Sequence, residues 1–154
     1  MAKEHKDGNK HLVLVGNPNV GKSVVFNYLT GLYVDVSNFP GTTVDVSQGT
    51  YNDYLVTDTP GIYGVSSFND EEKVAKEVIM KADLLLNVVD GVHLERDLFL
   101  TLQLADMGIP MLVVVNMMDE VKRQGIQLDI KRLEQYLGVP VIPIVAAQRI
   151  GTDG

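Results

Sequence analysis

The 154-residue chain contains no cysteine. Disulfides, zinc–thiolate sites, iron–sulfur clusters and thiol catalysis are therefore excluded. Basic residues are scarce: 13 Lys and Arg stand against 20 Asp and Glu, for a formal charge of −7. A general nucleic-acid binder needs a basic face to displace counterions, so nucleic acid is not an expected partner. A nucleotide pocket remains open to such a chain, because a few oriented amides and one lysine suffice for it. Long hydrophobic runs are also missing. The apolar stretches at 84–92 and 109–118 are broken by Asn, Asp or Pro. Both fall short of the roughly 18 residues that a membrane span requires. The first ten residues, MAKEHKDGNK, lack the apolar centre of a signal peptide. The chain by itself is expected to be soluble.

What is present is ordinary globular material, 45% apolar and 21% charged, in a length that suits one domain. Residues 11–15 (HLVLV) are a short apolar run ending at Gly16, which reads as a buried strand. Val24, Val25, Tyr28 and Leu29 then follow at helical spacing, with Gly31 as a stop. Residues 32–43 show no periodicity and read as a long exposed loop. VDVSQGTY and DYLVTDT predict an antiparallel hairpin turning at Tyr51–Asn52–Asp53. Beyond residue 69, helical and buried-strand patterns alternate to the end. Such alternation gives a mostly parallel sheet with helices on both faces. The expectation is an α/β fold of six strands with one antiparallel edge hairpin. Residues 1–10 read as a polar tail and 11–154 as the domain, truncated where a closing helix would be expected.

Gly16-Asn17-Pro18-Asn19-Val20-Gly21-Lys22-Ser23 matches G-x-x-x-x-G-K-[ST], preceded by a strand and followed by a helix. Glycine lets the backbone approach phosphate oxygens, and successive N–H groups at a helix N-terminus face the anion. Lys22 suits β/γ-phosphate charge, and the Ser23 hydroxyl suits Mg²⁺. The bland alternative is a glycine turn with a solvated lysine. Asp58-Thr59-Pro60-Gly61 ends the second hairpin strand. An Asp there can hold a Mg²⁺-bound water, and Gly61 can offer its N–H to a γ-phosphate. The same four residues also make a common turn. Asn116-Met117-Met118-Asp119 ends another strand. A carboxylate at Asp119 can accept from both N1–H and the exocyclic amine of guanine, an arrangement adenine lacks. Asp119 equally suits a helix N-cap. Thr42 and Thr43 lie in the long loop, where a threonine can close on Mg²⁺ when a γ-phosphate is present. Val145-Ala146-Ala147, after the last strand, is positioned to present an N–H to guanine O6.

These segments, in this order, resemble the five nucleotide boxes of the translation-factor-like small GTPases. The wording GNPNVGKS, SNFPGTTVD, DTPGIYG and NMMD is more specifically similar to the cytosolic G domain of the FeoB family of bacterial ferrous-iron transporters. The resemblance implies that GTP or GDP is bound by Gly16, Asn17, Pro18, Asn19, Val20, Gly21, Lys22, Ser23, Val24, Thr42, Thr43, Asp58, Gly61, Asn116, Met117, Asp119, Val145 and Ala146. It implies catalytic parts for Lys22, Thr43 and Gly61, Mg²⁺ on Ser23, Thr43 and (through water) Asp58, and guanine recognition by Asn116 and Asp119. It also implies a helical and a membrane-spanning part downstream, a place on the cytoplasmic face of the bacterial inner membrane, and leaves self-association open. The lysine of the usual NKxD of GTPases is Met117 here, and this NMxD form is one of the more specific marks of the resemblance. An Era- or Der-like RNA-associated GTPase shares GxPNxGKS and is the alternative reading, though the acidic balance counts against it.

Hydrolysis needs a positioned water and a counter-charge. Where Ras-type GTPases carry a water-positioning glutamine, this chain has Ile62. From Ser23 to Glu72 there is no Lys or Arg, but there are seven acids. Slow intrinsic hydrolysis that waits on an added cation or a partner is expected. Asn19 is the neutral oxygen ligand in position for K⁺, and its GxPN setting resembles potassium-activated GTPases; Asn also simply suits turns. His5, His11 and His93 share no metal-ligand spacing and read as tail or surface residues. Asp70-Glu71-Glu72 reads as the acidic start of a helix.

Overall fold

The computed structural model describes residues 10–31, 34–65 and 69–145. The expectations for the tail before Lys10 (His5 included) and for Ala146 and Ala147 lie outside the described residues. Strand β1 (Lys10–Gly16) begins one residue before the apolar run and feeds α1 (Lys22–Thr30) through the glycine-rich loop. β2 (Asp35–Asn38), β3 (Asp45–Tyr51) and β4 (Tyr54–Asp58) follow, then α2 (Asp70–Met80), β5 (Leu84–Asp90), α3 (Leu94–Asp106) and β6 (Met111–Asn116). The described chain closes with α4 (Met118–Arg123), α5 (Ile130–Leu137) and β7 (Val141–Pro143).

The strands form one sheet in the order β2-β3-β4-β1-β5-β6-β7. β4, β1, β5, β6 and β7 pair in parallel, while β2–β3 and β3–β4 pair antiparallel. The hairpin between β3 and β4 turns at Asn52, whose φ of 52° suits Asn. The sheet therefore has seven strands rather than six, and its antiparallel edge has three members rather than two. The added strand is β2, inside the stretch read as a loop. All four of its residues are exposed, so no alternation of buried and solvated positions marks it in the sequence. It is a strand because its backbone pairs with β3, from Asp35↔Gln48 to Asn38↔Asp45.

Alternate residues of the central strands face opposite sides, as pleating requires. Val13, Val15, Leu85, Val89, Val113 and Val115 pack with Ile79, Leu100, Leu104 and Leu137 from α2, α3 and α5. Leu12, Leu14, Leu86, Val88 and Val114 face the other way and pack with Val25 and Phe26 from α1. Parallel strands buried on both faces read as continuous apolar runs, which is why 11–15, 84–89 and 111–115 were legible. The helix ends obey local chemistry. Asn69 caps α2 by accepting from the Glu72 N–H at 2.8 Å, with Asp70, Glu71 and Glu72 in the first turn. Asp129 caps α5 through the Arg132 N–H at 3.0 Å. This layout brings the carboxyl ends of β1, β4, β5 and β6 to one rim of the sheet, where ligands of open α/β folds bind.

Candidate nucleotide site

The loop after β1 makes a tight wrap. Asn19 (φ 70°) and Gly21 (φ 88°) are both left-handed, and α1 starts directly behind Gly21. Asn17, Pro18, Asn19, Gly21, Lys22 and Ser23, together with Gly61, line a cavity of about 360 Å³. The wall is the anion-binding arrangement of a loop folded over a helix N-terminus. An apolar groove of about 210 Å³ lies elsewhere, walled by Leu12, Leu29, Leu86, Leu112 and Ile142, and offers no phosphate chemistry.

Lys22 is nearly buried, with 9% of its surface exposed. Its ammonium pairs with the Asp58 carboxylate and donates to the Thr59 carbonyl at 2.5 Å. Burial raises the Asp58 carboxyl above its ordinary value, and the charge and hydrogen bond of Lys22 pull it partly back. The segment after β4 is stitched along β1. Thr59 bonds the Leu14 carbonyl through both its N–H (3.2 Å) and its hydroxyl (2.8 Å), and the Ile62 N–H donates to the Gly16 carbonyl at 3.0 Å. Gly61 is consequently pressed against the phosphate loop: a Cβ there would lie 2.9 Å from Pro18 Cα. Ile62 is 2% exposed and packs in the core, so its side chain has no access to the cavity.

At the end of β6, Asn116 is buried and donates to the Val20 carbonyl at 3.0 Å. Met117 takes the left-handed conformation (φ 67°) that precedes α4. Asp119 lies in the first turn of α4, with Met117 at the N-cap place, and its carboxylate accepts from the adjacent Glu120 N–H at 2.9 Å. The Met118 N–H donates to the Ile144 carbonyl at 3.2 Å, which brings the last strand alongside the base box; Val145 is buried just beyond.

The structure brings together the phosphate loop, Gly61 and Asn116. Thr42, Thr43 and Asp58 do not line the cavity among the described residues. Thr42 instead serves a local turn: its hydroxyl donates to the Phe39 carbonyl at 2.9 Å and accepts from the Val44 N–H at 3.1 Å. Thr43 is exposed beside it, as are Ser23 and Val24 on α1. Asn17 departs from a direct ligand role through its side chain, which points into the protein and donates to Asp97 at 2.7 Å. Sequence reasoning passed over Asp97, although a carboxylate on the same helical stripe as Leu100, Thr101 and Leu104 was a visible signal. His93 pairs with Asp90 at 2.9 Å on the surface, and no cluster of metal-binding side chains occurs among the described residues. No described helix is long and apolar enough to cross a membrane.

Residues 10–154 match the family described as ferrous iron transport protein B. The chain is 43% identical over 153 residues to the Fe(2+) transporter FeoB of Legionella pneumophila strain Lens, covering 92% of this chain and 20% of that protein. It is 43% identical over 150 residues to the Escherichia coli K12 protein of the same description, covering 91% and 19%. The chain thus spans about a fifth of the length of the curated relatives it matches. Among solved structures, an S. thermophilus NFeoB mutant bound to mGDP superimposes with a TM-score of 0.91 at 41% identity, over 94% of this chain and 58% of that one. The FeoB G domain of Methanococcus jannaschii superimposes with a TM-score of 0.78 at 40% identity, over 94% and 91%.

Proposed function

Because the chain belongs to the ferrous iron transport protein B family, we propose that it is a guanine-nucleotide switch that binds GTP, hydrolyses it slowly and regulates a ferrous-iron transporter. In this reading residues 11–154 are the G domain, ahead of helical and membrane-spanning parts, on the cytoplasmic face of the bacterial inner membrane. The observation that carries it is the cavity at the N-terminus of α1, walled by Gly21, Lys22 and Ser23 with Gly61 facing them. The GDP- and mGDP-bound relatives support guanine nucleotide as the occupant.

The chain's own residues divide the work. Main-chain N–H groups of the loop hold the phosphates, and Lys22 exchanges Asp58 and Thr59 for phosphate oxygens. Asn116 braces the loop from the base side, and Asp119 accepts from the two guanine donors. The Gly61 N–H faces the γ-phosphate. Ile62, being buried, leaves water orientation to the main chain. Ser23, Thr43 and Asp58 are the hard oxygen donors that Mg²⁺ takes, and the ion when bound offsets phosphate charge. Asn19, exposed on the cavity wall, offers a neutral oxygen to K⁺.

The test is multiple-turnover phosphate release from GTP in KCl and in NaCl at equal ionic strength. Release should be slow in sodium and faster in potassium, and Asn19→Ala should erase the difference while largely sparing GDP binding. Identical rates in the two salts sink the potassium assignment. No release in either salt sinks the hydrolytic one.

A further inference from the structure

Asp97 is 1% exposed, yet it carries a carboxylate into the α3 face that packs on the sheet. Its Oδ1 accepts from Asn17 Nδ2 at 2.7 Å and from Arg96 Nε at 2.8 Å. Its Oδ2 accepts from the Asp90 main-chain N–H at 2.7 Å. One side chain therefore joins the phosphate loop, the carboxyl end of β5 and α3. Burying a carboxylate is unfavourable unless it is paired and hydrogen-bonded, and an apolar side chain would fill the same space without that penalty. The hydrogen bonds, rather than packing, account for the carboxylate.

We propose that Asp97 is a positioning residue for the phosphate loop and acts through the carboxamide of Asn17. A carboxylate only accepts, so it fixes which edge of the amide faces it. Rotating the Asn17 amide by half a turn would set two acceptors against each other. The bond is kept even though Asn17 Oδ1 is left buried with no hydrogen-bond partner among the described residues. Asn17 is flanked by Gly16, whose carbonyl holds Ile62, and by Pro18, which touches Gly61. Anchoring Asn17 from behind therefore holds the loop's curvature while its N–H groups stay turned to the cavity. Such pre-organisation slows ligand release. Arg96, 45% exposed, supports the carboxylate from the solvent side.

The inference rests on the reading of this cavity as a guanine-nucleotide phosphate site. The test is the dissociation rate of fluorescent mant-GDP, chased with unlabelled GDP, alongside melting temperature. Four proteins form a cycle: the unaltered chain, Asn17→Ala, Asp97→Ala and the double variant. Asn17→Ala should speed release about tenfold, the loss of one charge-assisted hydrogen bond, and Asp97→Ala, which also frees Arg96 and the Asp90 N–H, by at least as much. The double variant should be no more than about twofold faster than the faster single, because both remove the same bond. Asp97→Asn, which keeps one acceptor oxygen for Asn17 but sets its amide nitrogen against the Asp90 N–H, should speed release less than Asp97→Ala does. If Asp97→Ala does not fold, Asp97→Asn and Asn17→Ala decide the matter. Additive effects, unchanged release in Asn17→Ala, release in Asp97→Asn as fast as or faster than in Asp97→Ala, or a lowered melting temperature with unaltered release would each overturn the proposal. Absence of mant-GDP binding by the unaltered chain would instead overturn the nucleotide reading, and this inference with it.

Discussion

The Asn116 carboxamide donates to the Val20 carbonyl at 3.0 Å, a bond between residues 96 positions apart that ties the base box to the phosphate loop. Gly21 sits beneath it, and a Cβ at that position would lie 2.2 Å from Asn116 Nδ2. Gly21 also holds φ 88°, where L side chains are strained by roughly 1–2 kcal/mol. Gly21→Ala should therefore cost about 2–4 kcal/mol of stability, strain and broken bond together. Urea unfolding measures this. In an Asn116→Ala background the same substitution should cost less, since the clash is gone and only the strain remains.

Asp119 is half-buried at the start of α4, with one carboxylate oxygen already engaged by the Glu120 N–H. Asp119→Asn replaces an acceptor with a mixed amide. It should weaken GTP binding by more than tenfold, about 1.4 kcal/mol or more, and favour xanthine, which carries a carbonyl at position 2. Competition of GTP, ATP and XTP against mant-GDP reads the change. An unaltered preference for GTP would remove Asp119 from the base site.

The stretches 34–43 and 61–65 are expected to respond to the γ-phosphate. Their amides should exchange more slowly with a non-hydrolysable GTP analogue than with GDP, and those of β1 and β5 should not differ. Hydrogen exchange by mass spectrometry separates these segments. Equal protection in both states would count against Thr43 as the sensing residue.

Asp58 predicts an inverted pH response. Burial raises its carboxyl in the folded chain, against the pull of Lys22. Where the folded state binds a proton more tightly than the unfolded one, stability falls as pH rises. The stabilising contribution is complete below the unfolded value near 3.8 and is lost as pH rises through the raised folded value. Paired carboxylates ordinarily do the reverse. For the nucleotide-free chain, the difference in unfolding free energy between wild type and Asp58→Asn should move in favour of wild type as pH drops from 7 toward 4. A difference that stays flat with pH would show that Asp58 titrates alike in both states.

The glycine-rich loop between β1 and α1 was legible because its pattern is local: two glycines, a lysine and a serine at fixed spacing between a buried run and a helical one. Asp58 and Asn116 were legible as polar residues that end apolar runs. Contacts between distant segments were not. Asn17 was read as a nucleotide ligand because it sits in the loop, but its partner Asp97 is 80 positions away and only the tertiary fold brings them together. Lys22 turned toward Asp58 and Thr59 for the same reason. β2 escaped notice because pairing with β3, rather than any burial of its own side chains, makes it a strand.

That strand bears on how the stretch ahead of Phe39 can move. β2 is bonded on one side only, its four residues are exposed, and Val36 is already 61% exposed while paired. Its own four side chains are already exposed, so peeling it from β3 would cost mainly a few main-chain hydrogen bonds, exchanged for bonds to water. Asp35–Asn38 can thus detach and re-anneal as a subglobal event, up to Phe39, which packs against Val44 and Val46. Its unpaired outer edge is the counterpart of that freedom, since open edges invite foreign strands. Asp35 on that edge, and a length of only four residues, keep the invitation weak.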